Sequence, residues 1–239
     1  MNDSPAISVI IPAANEAAAL PHCLARVGGA PNEIVVVLAE SADQTGAIAL
    51  AAGARLLSHP QPHRARQMNC GAAQARGRIL LFLHADTLLP PGALSRIVDA
   101  IERRRAVGGA FRRRYRSRSP LLALTARLAA LRNGLFGWHL GDQAIFVRRD
   151  CFERLGGYPD IPIFEDLDFS RRLRRMGKTV TLTPPVYSSA RRFAARGPLR
   201  TTWEDLRLTG KYLSGADPND LCQPAAPRLK ALQTYERLS

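Results

Sequence analysis

The stretch that decides the fold is RILLFLHADTLLPPGALSRI, residues 78–97. After Arg78 it is apolar through Leu83, as a strand buried on both faces requires. The run stops on His84, Ala85 and Asp86, and passes Thr87 and two prolines. A periodic segment then starts at Pro91, with proline in the opening turn of a helix. Such a strand belongs in a sheet covered by helices on both sides. The polar residues that end it lie at the carboxyl edge, where open α/β sheets bind ligands.

The same unit repeats outward. Short apolar runs at 7–12 (ISVIIP), 33–39 (EIVVVLA), 54–58 (ARLLS) and 78–83 (RILLFL) predict parallel strands. Helices are predicted after them from Asn15 (complicated by Pro21), over 43–52, over 64–75 and over 91–105. Beyond residue 106 the pattern is less regular. Strands are predicted at 107–116, 143–149 and near 179–183, with helices over 119–134, from Asp150 to the glycines at 156–157, over 165–177 and over 198–214. The tail after Pro218 has weak periodicity. The fold class is α/β: a doubly wound, mostly parallel, Rossmann-like sheet with helices on both faces, in a single domain over residues 1–239.

Composition narrows the function. The 239 residues carry 34 Lys+Arg against 20 Asp+Glu, a net charge of +14, and only Lys178, Lys211 and Lys230 are lysine. Nearly all the positive charge is therefore guanidinium, a rigid fork suited to phosphate and carboxylate. Arginine is spread along the chain, aromatics are 6%, and no helix-turn-helix, zinc-finger or RNP signature occurs, which argues against nucleic acid. An anionic small molecule or an acidic surface fits the charge as well. The four cysteines form no CxxC pair, so neither a zinc site nor a disulfide framework is implied. The N-terminus lacks a signal-peptide pattern, and the longest apolar segment, from Pro120, is broken by Arg127 and Arg132. The expectation is a cytoplasmic protein with no integral membrane segment; no pattern specifies its oligomeric state.

Several constellations sit near the predicted strand ends. In an extended segment His84 and Asp86 share one side, so both can face one divalent ion; alone, the tripeptide reads better as a plain strand cap. Glu165, Asp166 and Asp168 crowd a helix start, either as compensation for its dipole or with one carboxylate as a general base. Arg64 and Arg66 follow a strand at a helix N-terminus, on the ligand side of the sheet. Gly141-Asp142-Gln143 precedes a strand as a turn, with Trp138 and His139 as core or pocket wall. Arg191 and Arg192 follow the last strand, and Arg112–Arg114 form a further cluster of mostly solvated charge.

Taken in order, SVIIPAANEA, SADQT, RQMNCGAAQARGRILLFLHADT, GDQAIFVRR and FEDLDFSRRLRRMG resemble glycosyltransferase family 2 with the GT-A fold, over roughly residues 6–193. The resemblance implies an inverting transferase that uses a UDP-sugar and a divalent metal, Mn or Mg. It implies metal ligation at Asp86 and His84, with Asp166 as catalytic base beside Glu165. The nucleotide-sugar would be held by Pro12, Ala13, Glu16, Glu40, Arg64, Arg66, Asn69, Ala85 and Asp86. The acceptor would be held by Gly141, Asp142, Gln143, Arg191 and Arg192. Residues 6–105 would form the nucleotide-binding half, 106–215 the acceptor and catalytic half, and 216–239 a C-terminal tail. Two departures stand out. Leu38 and Ala39 occupy the place of an Asp that helps hold the nucleotide, leaving Glu40 or Asp43 to substitute, and SSARRFAARGPLR replaces the Gln-x-x-Arg-Trp acceptor motif. The set RARQMN, HADT, GDQ and FEDLDFS is similar to that of a small single-domain subgroup that includes the selenosugar synthase of selenoneine biosynthesis. That implies UDP-N-acetylglucosamine as donor and a small anionic acceptor, selenophosphate. The alternatives are an O-transferase acting on a hydroxyl and a non-catalytic nucleotide-binding module.

Overall fold

A computed structural model describes residues 6–28 and 33–222. Its first half is β1 (Ile7–Ala13), α1 (Leu20–Val27), β2 (Glu33–Ala39), α2 (Thr45–Ala51), β3 (Arg55–His59), α3 (Arg64–Gln74), β4 (Ile79–Phe82) and α4 (Ala93–Glu102). The second half opens with β5 (Gly108–Tyr115), α5 (Pro120–Phe136) and a 3₁₀ turn at Gly141–Gln143. It continues through β6 (Ile145–Arg148), α6 (Arg149–Arg154), α7 (Glu165–Met176) and β7 (Thr179–Ser188). It closes with α8 (Arg191–Arg196), α9 (Pro198–Leu213) and α10 (Pro218–Leu221). Residues 223–239 of the expected tail lie outside the described residues.

The strands form one seven-stranded sheet in the order β3-β2-β1-β4-β6-β5-β7. Strands β1 to β4 pair in parallel, and β5 pairs in parallel with β7. Strand β6 runs antiparallel to both of its neighbours, β4 and β5. A fully buried strand such as Ile145–Val147 reads the same in either direction, so hydrophobic pattern does not carry its polarity. The sheet is mostly parallel, as expected, with this one reversal.

Alternation along the strands builds two cores. Val9 and Ile11 face α1, α2 and α4, while Ile10 faces α3, α6 and α7 with Val35, Val37, Phe82 and Phe169. Helix α3 approaches β1 closely at Gly71, where a Cβ would meet Ile10 Cγ2 at 2.5 Å. Helix α1 starts at Leu20 rather than at Asn15, which places Pro21 harmlessly in its first turn. Residues between Ala13 and Leu20 are thereby free to form the loop that borders the site.

Strand β7 is longer than the predicted 179–183. It passes Pro184 and Pro185 because it lies at the edge of the sheet, where missing N–H donors are tolerated. Its register on β5 shifts between Phe111 and Arg113. Helix α8, in a stretch without clear periodicity, is not foreseen from the sequence. Among the described residues no helix is long and apolar enough to cross a membrane.

Candidate functional site

The carboxyl ends of β1, β2 and β4 form the floor of the site. After β1 the chain turns at Asn15, whose φ of 53° is left-handed. The loop is tied to the segment after β2: Asn15 N–H donates to Ser41 Oγ (3.0 Å) and Ala42 N–H donates to Asn15 Oδ1 (2.9 Å). Glu16 N–H donates to Thr45 Oγ1 (2.8 Å) and Ala17 N–H to Asp43 Oδ2 (3.0 Å). Despite some burial, hydrogen bonds from Thr45 and Ala17 hold the Asp43 carboxyl below its usual range. Asp43 thus anchors this loop. Pro12 and Ala13 pair with Val37 and Leu38, and Leu38 packs against the core while Glu40 stays exposed.

Gln67 holds two strand tips together. Its buried amide donates to Ala13 O (3.2 Å) and Val37 O (2.8 Å), so α3 is pinned across the ends of β1 and β2. The available sequence signal is a lone polar side chain on the buried stripe with Ala65 and Met68.

After β4 the chain is not extended. Thr87 N–H donates to His84 O (3.0 Å), closing a turn over residues 84–87 that overturns the alternation argument for His84 and Asp86. The two side chains part. Ala85 is buried between them. Asp86 Oδ2 accepts from Arg191 Nη2 (2.9 Å), and the same nitrogen donates to Glu16 at 2.9 and 3.0 Å. His84 instead turns towards Gly141, and its buried Nε2 has no hydrogen-bond partner. Burial, with the Arg64 charge adding to it, holds the imidazole pKa below its usual value against the pull of nearby carboxylates.

Asp166 lies on the other side of Gly141. Gly141 N–H donates to its Oδ2 and Leu167 N–H to its Oδ1, each at 2.6 Å. Burial and then the Glu165 charge push its carboxyl up to about 6, against those hydrogen bonds and Arg64. Glu165, 2% exposed, is paired with Arg64 Nη1 at 3.2 Å. Phe164, left-handed at φ 65°, starts α7 and stacks on Tyr212 with centroids 4.7 Å apart.

Other expected contacts point elsewhere. Arg66 follows Arg64 by two helical positions, so it faces away and binds Asp160 bidentately at 2.7 and 2.9 Å. Both ends of the Asn69 amide bond the Tyr158 backbone at 2.9 Å. The Gln143 side chain is buried, donating to Phe111 O (3.0 Å) and accepting from Leu140 N–H (3.0 Å). Asp142 pairs with Arg113, and Arg192 with Asp205 of α9. His139 is bonded to Thr181, and burial pushes it down to about 4, a neutral core imidazole. Trp138 carries the Arg171 guanidinium 5.3 Å from its ring centroid. Arg66, Asn69, Gln143 and Arg192 are thus committed to protein partners, while His84, Asp86, Gly141, Glu165, Asp166 and Arg64 meet around the β4 tip with Glu16 and Arg191.

The donor set suits a hard cation through oxygen rather than through His84. Glu16 and Asp86 converge on one cationic nitrogen, and two carboxylates with phosphate oxygens satisfy magnesium or manganese. Among the described residues no three His, Cys, Asp or Glu side chains gather as a cage, so a bound diphosphate would have to supply the remaining ligands.

Comparison with known proteins agrees with this architecture. The family model for glycosyl transferase family 2 matches residues 8–194. The uncharacterized protein MT1568 of Mycobacterium tuberculosis (strain CDC 1551 / Oshkosh) is 32% identical over 223 residues, covering 80% of this chain and 68% of that protein. Among solved structures, Staphylococcus aureus TarS 1-349 superposes with a TM-score of 0.64 at 16% identity, over 77% of this chain and 60% of that one. The mannosyltransferase PcManGT from Pyrobaculum calidifontis, in complex with GDP-Man and Mn2+, gives 0.62 at 23% identity, over 90% and 66%. Glucosyl-3-phosphoglycerate synthase from Mycobacterium tuberculosis, in complex with UDP, gives 0.54 at 23%, over 74% and 70%. The chain thus spans less than two thirds of the TarS fragment, and these structures share its fold.

Proposed function

We propose, from the premise that this chain belongs to glycosyl transferase family 2, that it transfers a sugar from a nucleoside diphosphate with inversion. The donor in this reading is UDP-N-acetylglucosamine and the acceptor is a small anion, selenophosphate. The anomeric carbon–oxygen bond to the diphosphate breaks, a carbon–selenium bond forms on the opposite face, and UDP leaves. One observation carries the transferase reading. Asp166 is held by two backbone N–H groups with its carboxyl lifted to about 6, beside the β4 tip and the Glu16–Asp86–Arg191 cluster. A buried carboxylate poised near neutrality is suited to accept a proton or to orient a nucleophile.

Glu16 and Asp86 are the residues that would hold a divalent ion here. When bound, it neutralises charge on the departing diphosphate. Arg191 lies against the same carboxylates and would counter the same charge. Complexes of the neighbours with UDP-GlcNAc, and with GDP-Man and Mn2+, support the donor class. In this reading residues 6–105 form the nucleotide half and 106–215 the acceptor half of one GT-A domain.

The selenophosphate reading rests on the ordered motifs RARQMN, HADT, GDQ and FEDLDFS. The raised Asp166 favours a second reading, a hydroxyl acceptor, because a hydroxyl must lose a proton that this carboxylate would take. Product mass spectrometry with UDP-N-acetylglucosamine and manganese, offering selenophosphate beside plain phosphate and simple sugars, tests both. A selenium-containing hexosamine supports the first reading, and a glycosidic oxygen product the second. Failure of every nucleotide-sugar donor would remove the transferase reading altogether.

A further inference from the structure

Helix α5 is apolar on opposite sides. Leu122, Ala126, Ala129 and Asn133 face the protein, while Leu124, Leu128, Leu131 and Leu135 form a second stripe that is half or more exposed. An apolar stripe on a helix is normally buried against something. Helix α9, which packs against α5, repeats the pattern: Leu199, Trp203 and Leu206 recur at one-turn spacing and are 74%, 69% and 64% exposed. Of the eleven large hydrophobics exposed among the described residues, five lie on α5 (with Phe136) and four on α9 (with Leu213). Scattered exposed leucines need no explanation, but a concentration on two adjoining helices does.

The charge around this face identifies its complement. From Arg112 to Phe136 the chain holds seven arginines and no acidic residue. Of these, Arg112, Arg114, Arg118 and Arg127 are exposed. Arg112 and Arg127 wall a shallow groove of about 470 Å³ whose floor includes Leu131 and Leu135. On α9, Arg200, Arg207 and Lys211 run beside the apolar stripe, with Glu204 paired to Arg200. A second copy of the chain would bring another arginine-rich rim against this one, so like charges would oppose that contact. An anionic surface with an apolar interior satisfies both features: exposed leucine and tryptophan enter the acyl boundary while arginines meet the headgroups.

We propose that the α5–α9 flank is a docking surface for an anionic lipid bilayer, on which the protein lies without spanning it. The surface uses no residue of the β4-tip site, so docking is measured independently of turnover. The test is co-sedimentation of the full chain with vesicles of pure phosphatidylcholine and with vesicles carrying about 30% phosphatidylglycerol, followed by tryptophan emission. Binding is expected only to the anionic vesicles, weakening with added salt, with a blue shift on binding. In the triple substitution Leu199→Ser, Trp203→Ser, Leu206→Ser, which changes exposed residues only, partition should fall about tenfold or more, and Arg127→Gln should weaken it further. Several outcomes overturn the proposal. They are absence of sedimentation with either vesicle, undiminished binding of the triple variant, or a concentration-dependent dimer dispersed by Leu131→Asp. A Trp203 emission already blue without vesicles, which would place part of this chain over the face, is another.

Discussion

Gly141 N–H donates to Asp166 Oδ2 at 2.6 Å, and this contact leaves no room for a side chain at position 141. A Cβ there would lie 2.7 Å from His84 Nε2 and 3.2 Å from Asp166 Oδ2. Gly141→Ala should therefore displace the imidazole, the carboxylate or both, and lower kcat by about a hundredfold with donor KM little changed. Steady-state kinetics check this; an alanine variant of full activity would show that the Gly141–Asp166 spacing has no part in turnover.

Asp166 makes the reaction sensitive to pH if it accepts the acceptor's proton. Its carboxyl, lifted to about 6 by burial and Glu165, should give kcat/KM for a hydroxyl acceptor an acid limb near that value, rising to a plateau above it. Asp166→Asn should cost roughly a hundredfold or more and remove the limb. With selenophosphate, already anionic, the loss should be much smaller.

Stability has its own dependence on the same carboxyl. The folded pKa lies above the unfolded one, so the native state binds more protons between about pH 4 and 6. Stability from this group is fully present below that window and lost as pH rises through it, a change of about 3 kcal/mol. Comparing thermal unfolding of the wild type and Asp166→Asn across that range should show the asparagine variant gaining relative stability as pH rises.

The convergence of Glu16 and Asp86 on Arg191 predicts where a cation acts. Asp86→Asn and Glu16→Gln should each weaken manganese-dependent UDP binding by about tenfold or more, measured by calorimetry with and without chelator. His84→Asn should leave metal dependence intact, because the ring turns towards Gly141. A loss of metal dependence in His84→Asn, with Asp86→Asn unaffected, would return the metal to the histidine.

Asn69 and Gln67 act through the scaffold. Asn69→Ala severs both bonds to Tyr158, and Gln67→Leu leaves Ala13 O and Val37 O without their amide donor. Each should cost about 1–3 kcal/mol in denaturant unfolding. Asn69→Ala should change donor KM little, in contrast to a residue that touches the nucleotide.

The layered α/β fold was legible because a periodicity switch is a local property: uniformly apolar runs at β1, β2 and β4, separated by helical segments, require a sheet covered on two sides. Site positions at the strand ends follow from that geometry, which is why His84 and Asp86 could be singled out by number; Asp166 stood out from a carboxylate-crowded helix start and from the family resemblance. Their partners could not. Arg64 and Arg66 look alike in sequence, yet helical rotation sends one to Glu165 and the other to Asp160. His84 and Asp86 alternate only while the backbone is extended, and the turn closed by Thr87 separates them.

By itself, then, the sequence determined the layers, the strand ends and the residues available at them, because burial and periodicity are written into consecutive positions. Only the tertiary structure decided that β6 reverses, that Glu16 joins Asp86 across Arg191, that Gly141 abuts Asp166, and that α5 keeps an apolar stripe outside. Those outcomes depend on contacts between segments far apart in the chain, whose register and rotation are set by packing rather than by local pattern.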